Sequence, residues 1–152
     1  MADESGDDAY FGLLKRLFQQ APIIQHFPQT IRSIGPGEVT IAMPFDARFC
    51  HGGGALHGGV LMGLLDNAGY FACATRSGGR WVATNELKVN LLESVRDTNL
   101  IAEGKVLREG RHILHAEARA YQGEGDTRRL VAMALGTWSL LPRNFREPEP
   151  RD

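Results

Sequence analysis

Apolar side chains first recur at helical spacing in residues 9–20, AYFGLLKRLFQQ, where Tyr10, Leu13, Leu14, Leu17 and Phe18 make one stripe. That spacing predicts an amphipathic N-terminal helix. Residues 21–30, APIIQHFPQT, are broken by Pro22 and Pro28 and read as a connector. EVTIAMPF, from Glu38 to Phe45, reads as a strand, and Pro44 marks it as an edge strand because proline has no amide to donate. Between about residues 58 and 75 the pattern changes. Val60, Leu61, Met62, Leu64, Leu65, Ala68, Phe71, Ala72 and Ala74 surround a helical axis rather than striping it. A helix that is apolar all round is buried on every side. SGG at 77–79 supplies its stop.

From Trp81 onward the pattern is that of strands. WVATNELKVNLL, NLIAEGKVL, HILHAEARAY and RLVAMALGTWSLL are separated by ESVRDT and by two tight turns, REGR and GEGDT. The third alternates clearly, with Leu114, Ala116, Ala118 and Ala120 on one face and His115, Glu117 and Arg119 on the other. Successive strands joined by tight turns imply an antiparallel sheet. Such a sheet needs cover on its apolar face, and the 58–75 helix is the element available. The expected class is α+β, with residues 9–142 as one domain, 1–8 as a frayed tail and 143–152 as a flexible one.

Composition narrows the class. A length of 152 residues suits one domain with a real core. A net charge of −1 with both signs dispersed argues against nucleic acid or an anionic membrane as partner. The two cysteines, Cys50 and Cys73, are too few for a disulfide framework. The opening MADESGDD is acidic and polar, and no apolar run is long enough to span a bilayer. A cytoplasmic protein is the expectation.

Within residues 51–75, HGGGALHGGVLMGLLDNAGYFACAT, Asp66 is the one formally charged side chain. An isolated buried carboxylate carries a large desolvation cost. Either it pairs with a hidden arginine or caps a loop, or it is a general base or nucleophile in a dry pocket. Gly63 and Gly69 lie beside it on the helix, which suggests close approach by another helix or a ligand. The start of the helix offers a second feature. Its first amides lack intrahelical partners and carry partial positive charge. Gly58 and Gly59 leave them unobstructed, so an oxygen gaining negative charge can sit there, or the start can be an ordinary one. Eight residues separate Gly58 from Asp66, about 12 Å along the axis. One helix therefore cannot serve one carbonyl with both groups. If both act, a second copy of the chain supplies one of them, which predicts a homodimer with two shared sites.

HGGGALHGGVLMGLLDNAG, ATNELKVNLL, VLREGR and ALGTWSL together resemble the hotdog-fold thioesterases of the phenylacetate-pathway (PaaI-like) type, related to 4-hydroxybenzoyl-CoA thioesterase, over roughly residues 35–141. The resemblance implies an antiparallel sheet wrapped around a central helix, edge-to-edge dimers often paired into tetramers, and hydrolysis of an acyl-CoA thioester. It implies that Asp66 activates water or attacks the thioester, that the Gly58 amide polarises the carbonyl, and that Thr84 helps hold the water. His57 corresponds to the motif histidine that shapes the loop. The family has Asn or Gln near the thioester oxygen where this chain has His51, a departure that a neutral imidazole can fill with its one donated hydrogen bond. Arg111 and Arg80 resemble basic turn positions near the nucleotide end of CoA, and Gly59 joins them as a CoA-binding candidate. Solvated turn arginines are the plain alternative. No cofactor is expected beyond the CoA of the substrate.

Other chemistries fit less well. His51, His57, His112 and His115 match no zinc spacing, so no metal is expected. GGGALHGG lacks the ending of a phosphate-binding loop. Cys73 sits late in an apolar helix, where a thiolate is disfavoured. Two classes remain, a thioesterase and a non-catalytic hotdog protein that binds acyl-CoA as sensor or carrier, with a dehydratase a weaker third. Leu61, Leu64, Tyr70 and the leading helix are candidates to line an aryl or a medium-chain acyl pocket.

Overall fold

The computed structural model describes residues 4–145. Helix α1 (Glu4–Gln20) is followed by a short helix α2 (Pro22–His26) and strands β1 (Thr30–Gly35) and β2 (Glu38–Met43). The buried helix α3 (Gly58–Ala74) comes next, then β3 (Arg80–Leu91), β4 (Leu100–Glu109), β5 (Ile113–Gln122) and β6 (Arg129–Asn144). All strands pair antiparallel in the order β1-β2-β4-β5-β6-β3. The sheet curls around α3, which touches β2, β3, β4, β5 and β6. This is the hotdog arrangement that the sequence resemblance implies.

α3 can lie so close because the sheet beneath it is built of small residues. Ala102, Ala116, Ala118, Ala120, Ala132 and Ala134 are all buried. Gly104 on β4 faces the helix backbone itself, where a Cβ would run into the Ala68 carbonyl oxygen. The helix in turn buries Leu64, Leu65, Ala68 and Ala72 completely. Each such leucine contributes about 1.5–3 kcal/mol of transfer free energy. α1 closes the open side of the helix, with Phe18 edge-on to Phe71 at 5.0 Å between ring centres. At the end of α3, Thr75 Oγ1 donates to the Ala72 carbonyl at 2.7 Å, and Gly78 and Gly79 then turn the chain with φ of 62° and 84°.

Several expectations need correction. α1 begins at Glu4, inside the segment read as a frayed tail, and β6 runs on to Asn144, past the expected start of the C-terminal tail at 143. Residues 1–3 and 146–152 of those two tails lie outside the described residues. The 21–30 connector contains α2, because Pro22 occupies a first-turn position where the missing amide costs nothing. β1 has no counterpart in the hydrophobic pattern. β2 is an interior strand between β1 and β4, and Pro44 falls just past its end. Arg80 opens β3 rather than sitting in a turn.

The tightest point of the fold gives a direct test. Gly104→Ala is expected to destabilise the protein by about 2–3 kcal/mol, since strand and helix backbones must separate to admit the methyl group. Denaturant unfolding measures this, and an unchanged midpoint would contradict the close seating of α3.

Candidate active site

Asp66 sits midway along α3 on the face turned toward β3. Thr84 Oγ1 donates to its Oδ1 at 2.8 Å. Thr84 reaches the helix because β3 is irregular there. Its pairing with β6 skips between Thr84 and Glu86, leaving Asn85 as an extra residue tied by its side chain to Ser139 Oγ at 2.6 Å. Before the bulge Val82 and Thr84 turn inward, and after it Leu87 and Val89 do. One inserted residue thus exchanges the inward face and leaves the threonine opposite the carboxylate.

Opposite Thr84 on β6 stands Trp138, fully buried. Its indole Nε1–H has no hydrogen-bond partner among the described residues. Burial raises the Asp66 pKa above the ordinary aspartate value; donation from Thr84, and the partial positive charge of the nearby Trp138 N–H, which closes no hydrogen bond to it, oppose that rise without cancelling it. No cation pairs with Asp66 among the described ion pairs, so the hidden-arginine alternative is not realised. Gly69 and Gly63 do not leave space for a ligand. A Cβ at Gly69 would strike the Trp138 ring, and one at Gly63 would come within 3.1 Å of the Phe27 ring. Side chains of the same chain already fill both gaps.

Asp66 and Thr84 open onto a cavity of about 1010 Å³ between α3, β3 and the α1–α2 segment. Asn67, Tyr70, Phe71, Trp81 and Phe145 line it beside them. The Tyr70 phenol, pushed up to about 12 by burial, stays protonated. Leu61 and Leu64 are packed in the core and do not line the cavity. Trp81 and Phe145 were not singled out from the sequence. Trp81 stood unmarked in a strand, and Phe145 fell in the expected tail.

The other sequence candidates gather elsewhere. His57 caps α3, its Nδ1 accepting from the Gly59 amide at 2.9 Å. The Gly59 N–H is thereby used, while the Gly58 N–H has no partner among the described residues. His51 Nδ1 accepts from the Gly53 amide at 2.9 Å. Both neutral rings therefore carry their proton on Nε2, and for exposed His51 that N–H is available to donate. The loop between them is fixed by Arg96, whose Nη1 donates to the Gly53 carbonyl at 2.9 Å. None of Gly58, Gly59, His57, His51, Arg80 or Arg111 lines the cavity that holds Asp66. Arg80 lies at the start of β3 and exposed Arg111 in the β4–β5 turn. Cys73 is fully buried, with its thiol pushed up to about 12, which suits packing rather than catalysis. The described residues contain no group of three His, Cys, Asp or Glu able to hold a metal, and no helix long and apolar enough to cross a membrane.

Comparison with known proteins agrees with this architecture. The family model described as the thioesterase superfamily matches residues 53–128. A Saccharolobus solfataricus protein named provisionally as an esterase is 31% identical over 84% of this chain and 90% of its own length. Among solved structures, a thioesterase family protein from Silicibacter pomeroyi is 27% identical with a TM-score of 0.81, covering 87% of this chain and 98% of that one. The Escherichia coli PaaI protein of the phenylacetic acid degradation operon shares the fold, with a TM-score of 0.82 at 17% identity over 91% of this chain and 97% of that one. The chain is a hotdog-fold protein, and it belongs to the thioesterase superfamily.

The elevated Asp66 pKa has a consequence for stability. The folded protein holds this proton more tightly than the unfolded chain does. Its contribution to stability is complete below the unfolded pKa and is lost as pH rises through the folded one. At neutral pH the ionised side chain therefore weakens the fold. Asp66→Asn, uncharged and still able to accept from Thr84, is expected to melt above wild type at neutral pH. The gap should close on acidification through the ordinary aspartate range. A lower melting temperature for the variant at neutral pH would contradict this.

Proposed function

We propose that the protein hydrolyses an acyl-CoA thioester to the free acid and CoA, as a PaaI-like member of the superfamily. The observation that carries this reading is Asp66, unpaired by any cation among the described residues, half-buried, held by Thr84 at 2.8 Å and facing a cavity of about 1010 Å³. Thr84 fixes Oδ1 and leaves Oδ2 for the reaction. As general base the carboxylate takes a proton from water, whose oxygen attacks the thioester carbonyl. As nucleophile it attacks that carbon itself, giving an anhydride that water then opens. On either route the C–S bond breaks, and the departing thiolate leaves with a proton as the CoA thiol.

The negative charge that develops on the carbonyl oxygen needs a donor, and the unpartnered Gly58 amide at the positive end of α3 has the right chemistry. We assign it to a second copy of the chain. β3 is an edge strand of 12 residues, with its outer amides and carbonyls open to pairing. Thr84 touches Asp66 at one point of β3, and Leu91 lies against Gly58 at another, since a Cβ on Gly58 would meet Leu91 Cδ1 at 2.7 Å. Antiparallel self-pairing centred between Leu87 and Lys88 sets Thr84 opposite Leu91 of the partner subunit. Asp66 of one chain then approaches Gly58 of the partner subunit, and two shared sites result. Exposed Ile113 on β5 and Leu135 on β6 offer a surface for pairing such dimers into a tetramer. His51, on the loop before α3, would reach the same oxygen through its Nε2–H. Arg80, Arg111 and the side-chain-free Gly59 are the positions proposed for the CoA moiety.

Thiol release measured across aryl- and fatty acyl-CoAs tests the reading. Wild type should turn over at least one class, and Asp66→Asn should lose about a hundredfold or more. No turnover with any thioester despite tight CoA binding would instead favour a non-hydrolytic acyl-CoA-binding protein. The shared site has its own test. Gly58→Pro removes one amide at a helix position that tolerates proline, with Leu91 shifting its side-chain end to admit the ring. Mixing inactive Asp66→Asn and Gly58→Pro chains should restore about a quarter of wild-type activity, because random dimers regain one intact site in half of the population. No recovery after verified subunit exchange would overturn the shared site.

A further inference from the structure

From the Asp66–Thr84 pair the cavity runs in one direction. On α3 its lining continues from Asp66 to Tyr70, one turn toward the helix C-terminus, and on β3 it continues from Thr84 back to Trp81, roughly 10 Å along the strand. On the pairing proposed above, Gly58 of the partner subunit comes to the site across the β3 edge beside Thr84. A thioester carbonyl held there against Asp66 leaves its acyl group to enter the cavity, whose lining runs on to Tyr70 and Trp81. Polar side chains of α1 and α2, Gln19, Gln25 and His26, line another part of the wall. The end marked by Trp81 and Phe145 is aromatic.

That end is built rather than incidental. A second irregularity in the β3–β6 pairing, between Arg80 and Val82, falls at Trp81, which lines the same cavity as Thr84. Phe145 follows β6 directly and is tied down by its backbone N–H, which donates to the Gly79 carbonyl at 2.7 Å. The two rings meet at 4.4 Å between centres. Tyr10 of α1 stands behind Phe145 at 6.5 Å, and its hydroxyl donates to the Ala74 carbonyl at 2.6 Å. The pair is therefore braced by α1, the end of α3 and the turn into β3.

We infer that Trp81 and Phe145 form the end wall of the acyl site and set the longest acyl chain the protein accepts, with extended apolar acyl groups as its substrates. The inference rests on the acyl-CoA reading above. A cavity of about 1010 Å³ is far larger than a two-carbon acyl group needs. A chain that grows toward the wall gains about fourfold in binding for each methylene it buries. Once its end meets the rings, further methylenes must displace them or fold back, and the gain stops.

The test uses butanoyl-, hexanoyl-, octanoyl-, decanoyl- and dodecanoyl-CoA as substrates, with the matching S-alkyl-CoA thioethers as non-hydrolysable ligands. In wild type, kcat/KM and thioether affinity should rise with length and then break at the same homologue. Phe145→Ala should move the break to a longer homologue, and Phe145→Trp should move it to a shorter one. A general loss of packing would lower every member of the series and would not shift the break in opposite directions. Turnover by wild type with the break unmoved in both variants overturns the end wall and leaves thioester hydrolysis standing. No turnover, with a thioether break that still shifts in opposite directions, overturns hydrolysis and keeps the end wall. Affinity and turnover indifferent to chain length overturn the inference outright.

Discussion

The structure depends on how closely α3 approaches its sheet. A helix wrapped in leucine, methionine and phenylalanine normally stands off from a sheet by the depth of two side-chain layers. Here the floor is alanine and glycine, and at Gly104 the strand meets the helix backbone with no side chain between them. That depth determines what Asp66 can reach. Thr84 is a short side chain, and it closes a 2.8 Å hydrogen bond only because β3 and α3 lie so near each other. The same constraint shapes Gly69 and Gly136, each of which would collide with the Trp138 ring if it carried a Cβ. Two glycines admit one buried indole, and the indole sets its N–H beside the carboxylate.

The site is costly in the terms that govern the rest of the fold. Nearly every side chain on α3 gains free energy by leaving water, and the carboxylate at position 66 loses it. Trp138 adds a buried donor with no hydrogen-bond partner among the described residues, a further local desolvation cost. Such local losses concentrate where a protein acts chemically, because a carboxylate satisfied by a cation would have no reactivity left to use. The large apolar burial around α3 is what lets the fold carry them.

Much of this was legible in the amino-acid sequence, and the gaps have physical causes. The all-round apolar pattern placed α3 to within a residue, and strict alternation placed β5 because one of its faces is wholly buried. Asp66 was visible as a lone charge in an apolar segment, but its partner Thr84 was reached only through family resemblance, since nothing in ATNEL alone marks a bulge. β1 went unseen because TIRSIG buries neither face fully and so does not alternate. Pro44 misled because a proline just past a strand end reads the same as one at a sheet edge. Gly63 and Gly69 suggest close approach by another helix or a ligand, whereas the space belongs to Phe27 and Trp138, residues distant in sequence whose approach no local pattern encodes. Phe145 shows the same limit, since its place beside Trp81 follows from where β6 ends.

The central claim is that Asp66 is a partly desolvated carboxylate that reacts in its ionised form. The most direct measurement is a carbon-detected NMR titration of the Asp66 carboxyl group, set beside the pH dependence of kcat/KM. The account predicts a midpoint above that of an ordinary aspartate and an acidic limb of activity that rises through the same midpoint. An Asp66 that titrates like a surface aspartate, or an activity limb unrelated to its midpoint, would contradict it.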